Sequence, residues 1–230
     1  MRDLLFNNPY FGFIISLLAF EIGKRIFLKF KNPIFNPLLI AIILVIGFLY
    51  IFKIPLSQYE YGGNIIGFFL APATVALGLP LYKQFDTLKE NFIPIFLGAI
   101  IGSFTAIGSV IVIGKMLGLE RVLLVSFVPK SITTPIGIEV SKMLGGLPSI
   151  TVFAIIVTGV AGNIFAPLVC NVLRIKHPVA KGLGIGVSSH AVGTAKAMEM
   201  GEVEGAMSAL SIVVAGIVTI FLAPLLVKFI

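Results

Sequence analysis

The charged residues of this 230-residue chain leave long gaps, and those gaps decide what it can become. Residues 4–20, 32–52, 61–82, 91–114, 143–173 and 205–227 contain no Asp, Glu, Lys or Arg. Each run approaches or exceeds the roughly 20 residues that an α-helix needs to cross a bilayer. Two further apolar stretches, 119–145 and 178–200, carry charged or titratable residues inside them. With 58% hydrophobic and 12% charged residues and a mean hydropathy of +1.09, the chain could not cover its own surface in water. Soluble domains carry about 25% charged residues. The expected class is therefore an all-α integral membrane protein, a multi-pass protein of a cell membrane, with its 230 residues in a single domain.

The net charge of +7 gathers between the apolar runs, most densely at Lys24, Arg25, Lys29 and Lys31 and again at Arg174, Lys176 and Lys181. Basic loops beside apolar spans mark the cytoplasmic face, so the charge does not argue for nucleic acid. The single Cys170 lies within an apolar run, which leaves no intramolecular disulfide and no cysteine-based metal site. The first apolar run lacks a signal-peptide pattern, because its basic cluster follows it instead of preceding it.

A faint repeat runs through the chain. A shift of 118 residues lays Phe20-Glu21-Ile22-Gly23-Lys24 on Ile138-Glu139-Val140-Ser141-Lys142, Pro72-Ala73 on His190-Ala191, Gly98 on Gly216 and Asp86 on Glu204. Repeat halves at about 1–117 and 118–230 follow, of the kind transporters use. Both basic clusters should face the cytoplasm, yet five apolar segments separate them, an odd number. One segment in each half that enters and returns without crossing restores the parity and inverts the halves.

Polar groups at membrane depth are costly and are kept for a reason. Three stretches combine them with helix breakers, so broken or re-entrant helices are expected near 62–82, 126–142 and 182–199. The first holds Asn64 and Thr74 with Pro72 and Pro80, whose missing N–H groups free backbone carbonyls. In the second, Pro129-Lys130-Ser131-Ile132-Thr133-Thr134-Pro135, the lysine has eight uncharged residues on either side. One cation among Ser131, Thr133 and Thr134 suits a small carboxylate, whose charge and oxygen lone pairs need those partners. In the third, Ser189, Thr194 and the helix breaker Gly193 surround His190. A helix restarting there would aim N–H groups at an anion, and His190 could take up a coupled proton. Catalytic arrangements are absent from this reading. Gly182, Gly184 and Gly186 lack the strand–helix context of a dinucleotide loop, and His177 and His190 lack metal-ligand spacing. No enzymatic activity, cofactor or metal is expected.

These stretches resemble the LrgB/CidB family along essentially the whole chain. Phe69 to Tyr82, Pro129 to Pro135 and Ser188 to Glu199 leading into Gly205-Ala206 carry the likeness in order. The resemblance implies an antiholin-like membrane protein tied to murein hydrolase export and autolysis, paired with a holin-like partner of the LrgA/CidA type. It also implies transport of small monocarboxylates of the glycolate, glycerate, lactate or pyruvate class, because the plastidal glycolate/glycerate translocator contains a similar domain and bacterial relatives are linked to pyruvate uptake. The expected partners are thus a small carboxylate, the lipid bilayer, a holin-like protein and a second copy of the chain. A partner-binding regulator with no transport cycle and a channel are the rival readings.

Overall fold

The computed structural model describes residues 6, 8–30, 35–69, 72, 75, 82 and 85–230, and every regular element among them is helical. The chain divides into two units, Met1–Ala76 and Leu77–Ile230. The repeat halves at 1–117 and 118–230 are a different partition, one of sequence alone.

The first unit holds α1 (Pro9–Phe30), α2 (Pro37–Ile51) and α3 (Leu56–Phe68). Asn36 caps α2 by accepting from the amides of Leu38 and Leu39 at 2.9 and 3.1 Å, and Pro37 follows at its first position. In α1 and α3, small residues let two backbones touch. A Cβ on Gly12 would strike the Tyr59 carbonyl, and one on Gly62 would come within 2.6 Å of the Gly12 nitrogen. Gly62-Gly63-Asn64 thus lies in unbroken helix, and Gly62 serves close packing instead of a break. Thr74 and Pro80 lie outside the described residues, while Pro72 is helical and exposed.

The second unit contains α4 (Phe85–Glu90), α5 (Phe92–Met116), α6 (Arg121–Phe127), α7 (Thr134–Met143), α8 (Pro148–Val172), α9 (Pro178–Met200) and α10 (Glu202–Leu226), closed by a 3₁₀ turn, Val227–Phe229. Helices α5, α8 and α10 with its 3₁₀ turn are long and apolar enough to cross a membrane. Helices α5 and α10 run parallel: Ile95 clusters with Ala206 and Met207, Ala99 with Ala215, and Ile107 and Ile111 with Ala223 and Val227.

The two interrupted segments are hairpins. In the first, α6 and α7 are 7 and 10 residues long, too short to cross. The last turns of the two helices lie close together. Thr151 Oγ1 lies 2.9 Å from the Ser126 carbonyl and 2.7 Å from Ser141 Oγ, although 15 positions separate those serines in sequence. The chain therefore enters along α6, turns through 128–133, and returns along α7. Pro129 removes a helix donor at the turn and Pro135 sits at the start of the returning arm, so the sequence itself sets the break.

The second hairpin is α9 itself. Its helix reverses at one residue, His190, at φ 44° and ψ −143°. A Cβ on Gly193 would lie 3.1 Å from Ile185 Cγ2, a contact that a straight helix could not make across eight residues. The arms fit α10 in opposite senses. Gly182 abuts Glu204 and Gly186 abuts Ser208, whereas Gly205 abuts Met198 and Thr194 bonds Ser208. The outgoing arm thus runs parallel to α10 and the returning arm antiparallel to it.

The hairpins enter from opposite ends of the unit. The α9 hairpin opens beside the first turns of α5 and α10, where Val179 packs on Ile95 and Met207. The α6–α7 hairpin opens beside their last turns, where Arg121 Nη1 donates to the Ile230 carbonyl at 3.1 Å and Lys115 Nζ bonds the Phe229 carbonyl. Helix followed by re-entrant hairpin occurs twice, once as α5 with α6–α7 and once, inverted, as α8 with α9.

Candidate functional site

The hairpin tips approach one another midway along α5, α8 and α10. A cavity of about 450 Å³ opens there between α5, the first tip and the outgoing arm of α9. Its polar wall comprises Thr105 and Ser109 from α5, Lys130 and Ser131 from the first tip, and Ser188 from α9. Gly98 and Gly102 complete it: a Cβ on the first would meet a methyl of Leu183, and one on the second a methyl of Val187, so these side chains pack directly on the bare backbone of α5. A second cavity, about 260 Å³, reaches Lys130 from its other side among Ile113, Leu124 and Phe127. In the first unit, a cavity of about 480 Å³ presents mainly aliphatic walls with the hydroxyls of Ser16 and Tyr59, and no charge. Charge and hydroxyls together distinguish the cavity at Lys130.

Lys130 is half-buried and its Nζ donates to Ser131 Oγ at 3.2 Å. Among the described residues no carboxylate lies within ion-pair distance of it. An ammonium has three donors, and Ser131 takes one of them. Thr105 and Ser109 donate to their own helix, at the Ile101 and Ala106 carbonyls, 2.8 and 2.9 Å away. Their oxygens keep lone pairs for a guest. Ser188 Oγ lies 3.0 Å from Ser189 Oγ.

Several residues singled out by sequence hold the geometry and do not line this cavity. Thr194 Oγ1 donates to the His190 carbonyl at 2.9 Å and shares a hydrogen with Ser208 Oγ at 2.7 Å. His190 is 3% exposed, and its Nε2 lies 2.9 Å from the Ile155 carbonyl. Asn163 Nδ2 donates to the Val192 carbonyl at 2.9 Å, just past the reversal. Thr133 caps α7 through its backbone, Thr134 begins that helix, and both are half-buried beside the tip. Ser189 is buried, Pro129 is fully buried, and Pro135 is exposed. Gly193 is helical, so the break falls at His190, three residues earlier. Asn64 belongs to the first unit, where it is exposed on α3. Among the described residues no cluster of His, Cys, Asp and Glu could hold a metal ion.

Sequence reading passed over Thr105, Ser109, Gly159, Gly162 and Asn163, and placed Ser188 in the third stretch without a role. A legible signal existed for some of the setting: Gly98 and Gly102, like Gly182 and Gly186, have the small-xxx-small spacing of close helix pairs. A Cβ on Gly159 would stand 2.6 Å from His190 Cε1, and one on Gly162 would overlap Ser189 Oγ. Those glycines make the room in which α9 reverses.

Opposed re-entrant hairpins between apolar spans define a multi-pass, all-α protein of the cell membrane. The LrgB-like family model matches residues 16–229, and the chain belongs to that family. It is 40% identical over 224 residues to the antiholin-like protein LrgB of Bacillus mycoides, covering 97% of each chain. Proteins of the same name from Bacillus cereus and Bacillus anthracis match it equally, at 40% identity and 97% coverage. No solved structure matches.

Proposed function

We propose that this chain acts as an antiholin-like membrane protein, and that the physical act beneath that role is passage of a small monocarboxylate through the cavity at Lys130. The names of the relatives support the antiholin-like part directly, and with it a holin-like membrane partner. The carrier part rests on geometry. One observation carries it: a lysine with no acid partner among the described residues, at the tip of a re-entrant hairpin, lines a hydroxyl-bearing cavity that a second hairpin of opposite sense also lines. A carboxylate at Lys130 would receive charge-assisted hydrogen bonds from the ammonium and from Ser131. A 2-hydroxy or 2-oxo group would reach Thr105, Ser109 or Ser188. Glycolate, glycerate, lactate and pyruvate are short enough for this space. A purely partner-binding regulator is the reading the names favour on their own, and it needs no such cavity.

The test is uptake of labelled glycolate and pyruvate into liposomes holding the purified protein, alone and with its holin-like partner. Lys130→Ala is expected to lower uptake about 10- to 100-fold, the equivalent of roughly 1.5–3 kcal/mol for hydrogen bonds to a charged group. Empty and protein-bearing vesicles that take up substrate equally in both settings would leave the regulator reading alone.

A further inference from the structure

The charges around the cavity are otherwise accounted for. Glu139 and Lys142 pair on the exposed side of α7, Lys181 pairs with Glu204 at the outer end of α9, and Lys196 pairs with Glu199 on its returning arm. Lys115 and Arg121 bond chain-terminal carbonyls. His190 faces Ile155 and Gly159 of α8 and does not line the cavity. From α5, only glycine, alanine and hydroxyl side chains meet Lys130 across the cavity, and Leu183 and Val187 come from α9. An unanswered ammonium in such a wall is expensive. Two events remove the expense: arrival of a carboxylate, or departure of the proton.

Resting on the carrier reading above, we propose that Lys130 also carries the proton that accompanies the substrate. A proton from the aqueous side joins the amine lone pair as the carboxylate binds. The site crosses as an ammonium–carboxylate pair, proton and carboxylate leave together on the far side, and the neutral amine returns. No net charge moves. Carboxylate and proton then strengthen each other's binding by one shared factor, as linkage requires. Substrate affinity weakens as pH rises, because binding takes up a proton.

Arginine keeps its charge at every accessible pH, so Lys130→Arg separates binding from coupling. In liposomes, wild type and His190→Asn should accumulate labelled glycolate when the outside is acid. Asparagine, like histidine, is among the non-glycine residues that most often take a positive φ, and His190→Gln serves if it does not fold. Lys130→Arg should exchange labelled for unlabelled glycolate at a reduced rate, with no response to the acid gradient. A gradient response in Lys130→Arg, or its loss in both His190 variants, overturns the proposal. Should Lys130→Arg be inert, calorimetry of wild type in buffers of different ionisation heat decides. About one proton taken up per glycolate at some pH between about 6 and 9 supports it, and none throughout overturns it. Wild type that neither binds nor moves glycolate, with or without the holin-like partner, fails the carrier reading and this inference with it. Wild type that moves glycolate indifferently to pH fails this inference alone.

Discussion

At the scale of the residue, the reversal at His190 depends on its neighbours. A φ of 44° in a residue with a Cβ costs on the order of 1–3 kcal/mol and persists where its surroundings over-determine it. Thr194, Asn163 and the Ile155 carbonyl supply that constraint. Thr194→Val keeps the volume while removing two buried hydrogen bonds, so it should destabilise the protein by about 1–3 kcal/mol and lower its melting temperature in detergent. Gly159→Ala, whose methyl would stand 2.6 Å from His190 Cε1 and 3.0 Å from Val192 Cβ, should do likewise through overpacking, by about 1–3 kcal/mol. Unchanged melting in both variants would show that the reversal is held from elsewhere.

At the scale of the element, much was legible. The prolines at 129 and 135 and the stranded Lys130 mark the first hairpin tip, and Ser189-His190 marks the second. The side on which each arm packs was not legible, because small residues read alike whether they loosen a helix or bring two together. Gly62 lies in unbroken helix for that reason, and Gly193 is spared the break that falls on His190. Thr194 reads as a substrate ligand in sequence, yet a hydroxyl can equally close a backbone, and here it does. Hairpins leave a signature that full crossings do not. In a protein with Cys170 replaced by Ser, cysteines at exposed Glu120 and Met143 should react with a membrane-impermeant thiol reagent from one face. Those at exposed Lys176 and Glu202 should react from the other face. Labelling of either pair from opposite faces would mean that its segment crosses.

At the scale of the whole molecule, one re-entrant segment among the five apolar stretches between the basic clusters changes an odd count to an even one. That is the parity two cytoplasmic loops demand. Mean hydropathy and charge gaps foretold the solvent, but the meeting of two tips is a long-range fact that no local pattern encodes. Helix α8 is where they meet. Its Ile155 offers its carbonyl to His190 of one hairpin, and its Cδ1 would stand 2.5 Å from a Cβ on Gly137 of the other. Both hairpins therefore rest on one residue, the first against its side chain and the second through its carbonyl, so a change of shape at position 155 would be felt on the two sides of the fold at once.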